Sequence, residues 1–247
     1  MNHSFFITGT DTGIGKTFVT SYLTASLRKK GVQAVPYKPI QSGGIVKDGQ
    51  LRSEDVAFYK MLSALPYSEE QLCTYCFNDP VSPHLAMKRS DETIHIPTII
   101  NQLKQLQAEN EVVFVEGAGG LAVPLIDEDK KTYMMTDFIK DLQLPLLIVT
   151  QPNLGSINHT LMTISYAQSE HIPIAGMIVN QMPKSPNTMQ RDNVDMIEKL
   201  SGIPIVAMIP PIEEPLIKNC NDYLESHVND DRLASFFEKL TKQSVGG

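Results

Sequence analysis

Apolar residues along the chain fall into two kinds of run that alternate. Short continuous runs occur at "SFFIT" (4–8), "VQAVPYKPI" (32–40), "EVVFVEG" (111–117), "LPLLIVTQ" (144–151), "IAGMIVN" (174–180) and "IPIVAMIP" (203–210). Unbroken, β-branched apolarity suits parallel strands buried on both faces. Between such runs the spacing turns helical. In "KTFVTSYLTASLRKKG" (16–31), Phe18, Val19, Tyr22, Leu23, Ala25 and Leu27 form a stripe at helical spacing. Arg28, Lys29 and Lys30 suit the negative end of that helix, and Gly31 is a natural stop. The alternation predicts a doubly wound, mostly parallel α/β sheet flanked by helices, one domain over 1–247, with ligands at the carboxyl ends of the strands. Segment 63–83 and the tail after Pro210 carry no comparable pattern.

Composition narrows the function classes. A chain of 247 residues that is 42% hydrophobic can bury a sizeable core. Its formal net charge of −7 weighs against general nucleic-acid binding, which needs a basic face, while leaving room for a local basic pocket. Three cysteines, Cys73, Cys76 and Cys220, with no secretory start point to a reducing compartment. Cys73 and Cys76 have C-x-x-C spacing, but no second pair completes a zinc tetrad, and two partly buried thiols are the simpler reading. "MNHSFFITG" has neither a basic n-region nor a long apolar h-region, and no run approaches the roughly 18 apolar residues of a membrane span. The expected location is the cytoplasm.

The chemistry is densest in "FFITGTDTGIGKTFVT" (5–20), where strand, glycine-rich turn, Lys, Thr and helix follow in order. That is the phosphate-loop pattern: glycines let backbone N–H groups approach a phosphate, and the helix N-terminus adds positive charge. Gly13, Ile14, Gly15, Lys16, Thr17 and Phe18 would border the nucleotide, with Lys16 on the β/γ-phosphates and the Thr17 hydroxyl on Mg²⁺. The spacing is unusual, since five residues rather than four separate Gly9 from Gly15. Glu116 ends the strand "VVFVE" at the edge where such a sheet collects ligands, which marks it as a candidate metal ligand. Asp55 in "LRSEDVAFY" reads on composition either as a helix cap or as a second ligand. Lys38, in Tyr-Lys-Pro after a strand, could be a surface residue.

Taken together, the loop, "YKPIQSGG" (37–44), "SPH" (82–84), "VEGAGG" (115–120) and "LGSINHTLMT" (154–163) make the chain resemble the dethiobiotin synthetase family, a branch of the P-loop NTPases, over about residues 4–212. The resemblance implies a reaction in three parts. One amine of 7,8-diaminopelargonate captures CO₂ as a carbamate, the γ-phosphoryl group of ATP passes to it, and the second amine closes a cyclic urea with loss of phosphate. It also implies roles. Lys16 and Lys38 would act on the transferring group, and Thr17, Asp55 and Glu116 would hold Mg²⁺. Gly117, Ala118 and Gly119 would join the nucleotide site, and Asn180, Pro210, Pro211 and Ile212 would meet the base. Thr12 and Ser42 would touch the diamine or its carbamate. Gly155, Ile157 and Asn158 would receive the substrate carboxylate from the neighbouring subunit, which implies a homodimer. Gln181 stands where the family leads one to expect an acid.

A rival with the same architecture is an ATP-switched partition or division protein. In those loops a lysine five residues before the last one reaches the partner's phosphates, whereas here Asp11 holds that place. A carboxylate cannot stabilise phosphate charge, so that mechanism loses its central part. An amidase of the same fold would need a glutaminase domain, for which 247 residues leave no room.

Overall fold

The computed structural model describes residues 3–128, 131–211 and 231–243. Each continuous apolar run becomes a strand: β1 (His3–Gly9), β2 (Ala34–Ser42), β6 (Val112–Glu116), β9 (Leu146–Thr150), β10 (Ile174–Asn180) and β11 (Ile205–Ile209). A seventh, β5 (Cys73–Phe77), comes from the segment without a clear pattern. The order is β11-β10-β9-β1-β6-β2-β5, and every pairing is parallel. Two antiparallel hairpins stand apart, β3–β4 (Ile45–Lys47, Gln50–Arg52) and β7–β8 (Pro124–Glu128, Lys131–Met134).

Strand residues alternate between two cores, as a pleated sheet buried on both faces requires. Phe6, Val113, Val115, Ile148 and Val179 face one core, while Phe5, Ile7, Phe114, Val149 and Ile178 face the other. The first core is closed by α5 (Ile96–Glu109), α6 (Met135–Leu142), α7 (Ser156–Ser169) and α8 (Thr188–Ser201), through Leu103, Phe138, Ile164 and Ile197. The second is closed by α1 (Lys16–Lys29), through Val19, Tyr22, Leu23 and Leu27, and by the helix Asp231–Gln243, through Leu233.

Helix α1 ends where the sequence predicts, with Gly31 at φ 84 just beyond it. Its burial differs from a simple stripe: Thr20, Ser21, Thr24 and Ser26 are buried too. Ser21 and Thr24 donate their hydroxyls back to Thr17 O and Thr20 O, at 2.7 and 2.8 Å, so these polar side chains can enter the interior. Successive strands are laid down on opposite sides of β1, whose neighbours are β6 and β9, and this switch point gathers the carboxyl ends of β1, β2, β6 and β10. No helix among the described residues is long and apolar enough to cross a membrane.

Candidate active site

Strand register does the first part of the assembly. Tyr37 lies beside Val115 in the β2–β6 ladder, so the next residues, Lys38 and Glu116, come abreast on the face covered by α1. Residues 10–15 link β1 to α1 and bring Lys16 and Thr17 over the same edge. Helix α2 (Glu54–Leu62) adds Asp55 from its first turn. Ser53 caps it, accepting from Val56 N at 3.1 Å and donating to Gln41 Oε1 on β2 at 3.1 Å, which ties the helix start to the sheet.

The result is a compact charged cluster. Thr17 Oγ1 lies 3.0 Å from Asp55 Oδ1 and 2.9 Å from Glu116 Oε1. Lys38 Nζ lies 2.6 Å from Asp55 Oδ2 and 2.8 Å from Glu116 Oε1, and donates to Gly117 O at 3.4 Å. Glu116 is 1% exposed. Its other oxygen, Oε2, accepts the hydroxyl of buried Tyr59 at 2.5 Å. Burial alone would pull the Lys38 ammonium down, but Glu116 and Asp55 outweigh it and hold its pKa above the ordinary lysine value. Lys16 goes the other way: burial first, then the charge of Lys38, lowers its pKa. Burial and the neighbouring Glu116 carboxylate keep Tyr59 a neutral hydroxyl, its pKa well above the usual tyrosine value.

The loop is pinned from behind. Ile14 O accepts from Asn180 Nδ2 at 2.9 Å and from Gln151 Nε2 at 3.3 Å. Gly15 has φ 91, and a Cβ there would stand 2.2 Å from Asn180 Nδ2, so both conformation and space demand glycine. Asp11 Oδ1 accepts the Thr12 N–H at 2.7 Å, and Lys16 Nζ donates to Asp11 O at 3.3 Å.

In front lies a cavity of about 560 Å³. Thr12, Gly13, Gly15, Lys16, Thr17, Lys38, Ser42, Glu116, Ala118 and Gly119 from the sequence reading all border it. Ser42 Oγ is buried there without a hydrogen-bond partner. Pro80, Val81, Pro83 and Val123 supply an apolar wall. These four and Tyr59 are absent from the sequence-based set. The "SPH" segment could have flagged Pro83, and the i,i+4 spacing from Asp55 could have flagged Tyr59. A larger concavity of about 750 Å³, lined by Phe5, Leu103 and Leu144, lies at the amino end of β1, away from the charged cluster.

Several expected positions lie elsewhere. Gly117 is closed in the sheet: its N–H donates to Ile7 O at 3.0 Å, and a Cβ would come within 2.7 Å of the Phe6 ring. Asn180 is buried, with one amide atom on the loop and Oδ1 without a partner. Phe18 packs near Tyr22 and Phe58. Pro210 and Pro211 follow β11, and Ile212 lies outside the described residues. Gly155, Ile157 and Asn158 sit at the start of α7 and do not border this cavity. Cys73 and Cys76 are free thiols on β5, the first buried and the second half-buried, and Cys220 lies outside the described residues.

A family model described as an AAA domain matches residues 3–216. The ATP-dependent dethiobiotin synthetase BioD of Bacillus thuringiensis (strain Al Hakam) is 39% identical over 241 residues, spanning 98% of this chain and 96% of that one. The chain belongs to the dethiobiotin synthetase family. BioD of Bacillus licheniformis is 36% identical over 225 residues, covering 91% of this chain and 93% of its own. Among solved structures, the septum site-determining protein MinD of Pyrococcus horikoshii OT3 has a TM-score of 0.59 at 16% identity, covering 99% of this chain and 98% of that one. Cobyrinic acid a,c-diamide synthase of Mycobacterium smegmatis gives 0.52 at 14%, covering 91% and 92%. At such identities the likeness is one of fold, and it bears out the mostly parallel, doubly wound α/β architecture. In this dethiobiotin synthetase-family chain Asp11 is exposed and turned onto its own loop.

Proposed function

We propose that this protein is the ATP-dependent ligase that carboxylates 7,8-diaminopelargonate and closes its ureido ring, a step of biotin biosynthesis. The observation that carries the reading is the convergence of Lys16, Lys38, Thr17, Asp55 and Glu116 beside a phosphate loop and a cavity with one apolar wall. Family membership supports the same conclusion.

A hydroxyl and two carboxylates meeting at one point form a hard oxygen donor set that fits Mg²⁺, which takes one or two carboxylates together with phosphate oxygens and water. Thr17, Asp55 and Glu116 would hold it. When bound, it would neutralise charge on the triphosphate. Lys38, on the same two carboxylates, would face the carbamate.

The amine protons released in the first and last steps pass to water. One amine nitrogen bonds to the carbon of CO₂ and loses a proton, giving a carbamate beside Thr12, Ser42 and Lys38. A carbamate oxygen bonds to the γ-phosphorus as the bond to ADP breaks. Loop N–H groups and Lys16 stabilise the charge on the transferring group, which costs little reorganisation because they are already fixed. The second amine attacks the carbamic–phosphoric anhydride at carbon, phosphate leaves with the electron pair, and a proton is lost to give the cyclic urea. The apolar wall suits the alkyl chain of the diamine. Gly155, Ile157 and Asn158 of a second copy would take its carboxylate at the N-terminus of α7. Pro210, Pro211 and Ile212 would meet the base, with Asn180 alongside.

The test supplies purified protein with ATP, Mg²⁺, bicarbonate and the diamine and measures phosphate. Release that requires the diamine is expected. Equal hydrolysis without it, or stimulation by DNA or lipid instead, overturns the reading.

A further inference from the structure

The two oxygens of Glu116 are held differently. Oε1 meets Thr17 Oγ1 at 2.9 Å and Lys38 Nζ at 2.8 Å, while Oε2 meets the Tyr59 hydroxyl at 2.5 Å. Tyr59 stands four residues after Asp55, so one face of α2 delivers both side chains to the same cluster. Both Tyr59 and Glu116 are 1% exposed, so water does not compete for this bond.

We infer that Tyr59 is a positioning residue: its hydroxyl occupies Glu116 Oε2 and fixes the rotation of the carboxylate, leaving Oε1 as the oxygen presented to a divalent cation. The physical reason is torsional. A glutamate carboxylate turns broadly about its last bond, and Thr17 and Lys38 both act on the same oxygen. A strong donor on the opposite oxygen removes that freedom, and it satisfies a lone pair that would otherwise be buried and unpaired. Groups that orient a metal ligand in this way typically change metal affinity by about 10–100-fold when removed. This inference rests on the reading of Thr17, Asp55 and Glu116 as cation ligands.

The experiment compares the wild type with Tyr59→Phe, which keeps the packing and loses only the hydroxyl. Mg²⁺ is titrated calorimetrically into the full chain with a non-hydrolysable ATP analogue, and analogue affinity is measured separately in chelator. A matched control is Tyr37→Phe, which removes an equally buried tyrosine hydroxyl bonded to Thr74 and Ile99 O instead. The expected result is Mg²⁺ affinity weakened at least about tenfold in Tyr59→Phe alone, with chelator-state affinity unchanged. An unaltered Mg²⁺ affinity, or the same loss in both variants, overturns the assignment. If the wild type itself shows no Mg²⁺ effect, the cation reading falls and this inference falls with it. A second measurement needs no variant: a crystal structure of the wild type with Mg²⁺ and analogue should show Oε1 on the cation and Oε2 on Tyr59. The reverse arrangement overturns the inference.

Discussion

Lys38 is gripped by two carboxylates in a nearly water-free setting, and that decides what its loss does. Removing one partner of a buried ion pair leaves an uncompensated charge, which costs about 3–5 kcal/mol. Lys38→Ala should therefore lower the thermal midpoint, and it should also cut turnover about a hundredfold while ATP-analogue affinity survives. A pure affinity defect would contradict the proposed place of Lys38 opposite the carbamate. Lys16 has a different place, buried at the end of the loop with its pKa lowered and its Nζ on Asp11 O. Lys16→Gln should cost at least about 2.7 kcal/mol of transition-state stabilisation, a hundredfold in rate, in a steady-state phosphate assay. Legibility follows sequence separation. Lys16 and Thr17 were readable because loop, strand and helix are contiguous. Asp55 stayed ambiguous between cap and ligand because the difference lies in Thr17, 38 residues away.

Among the elements, α2 matters most for the site because a short helix carries both Asp55 and Tyr59. Ser53 fixes its start through one bond to Val56 N and another to Gln41 on β2. Ser53→Ala should cost about 1 kcal/mol in chemical denaturation. It should also slow catalysis, because the helix start that aims Asp55 is released. A loss of stability without any rate change would separate capping from site geometry. The six strands read from continuous apolar runs all formed, since burial on both faces leaves that signature. Edge strand β5 did not announce itself, because "CTYCF" mixes polar and apolar positions, as its alternating burial requires. The helix stripe of α1 is right but incomplete: Ser21 and Thr24 look solvent-facing until their hydroxyls are seen bonding to the helix's own carbonyls.

For the whole molecule, one chain's cavity lacks the 155–158 segment that the proposed reaction needs. Leu154, 87% exposed, and Met162, 63% exposed, lie on this same stretch as apolar surface. If the carboxylate is taken by a second copy, Lys16→Gln and Asn158→Ala break opposite halves of one site. Each should be inactive alone, whereas an equimolar mixture refolded together should recover roughly a quarter of wild-type turnover, from the one intact site in each mixed dimer. No recovery would place the carboxylate within a single chain. Sequence by itself determined the doubly wound sheet, the phosphate loop and the place of Asp11 within it, because these are properties of contiguous residues. Only the tertiary structure decided that the Tyr59 hydroxyl meets Glu116, that the Gly117 N–H is bound to Ile7 O while its carbonyl faces Lys38, and that Pro80, Val81 and Pro83 wall the cavity. Those relations are set by strand register and helix docking, which bring together side chains whose separation along the chain carries no local signal.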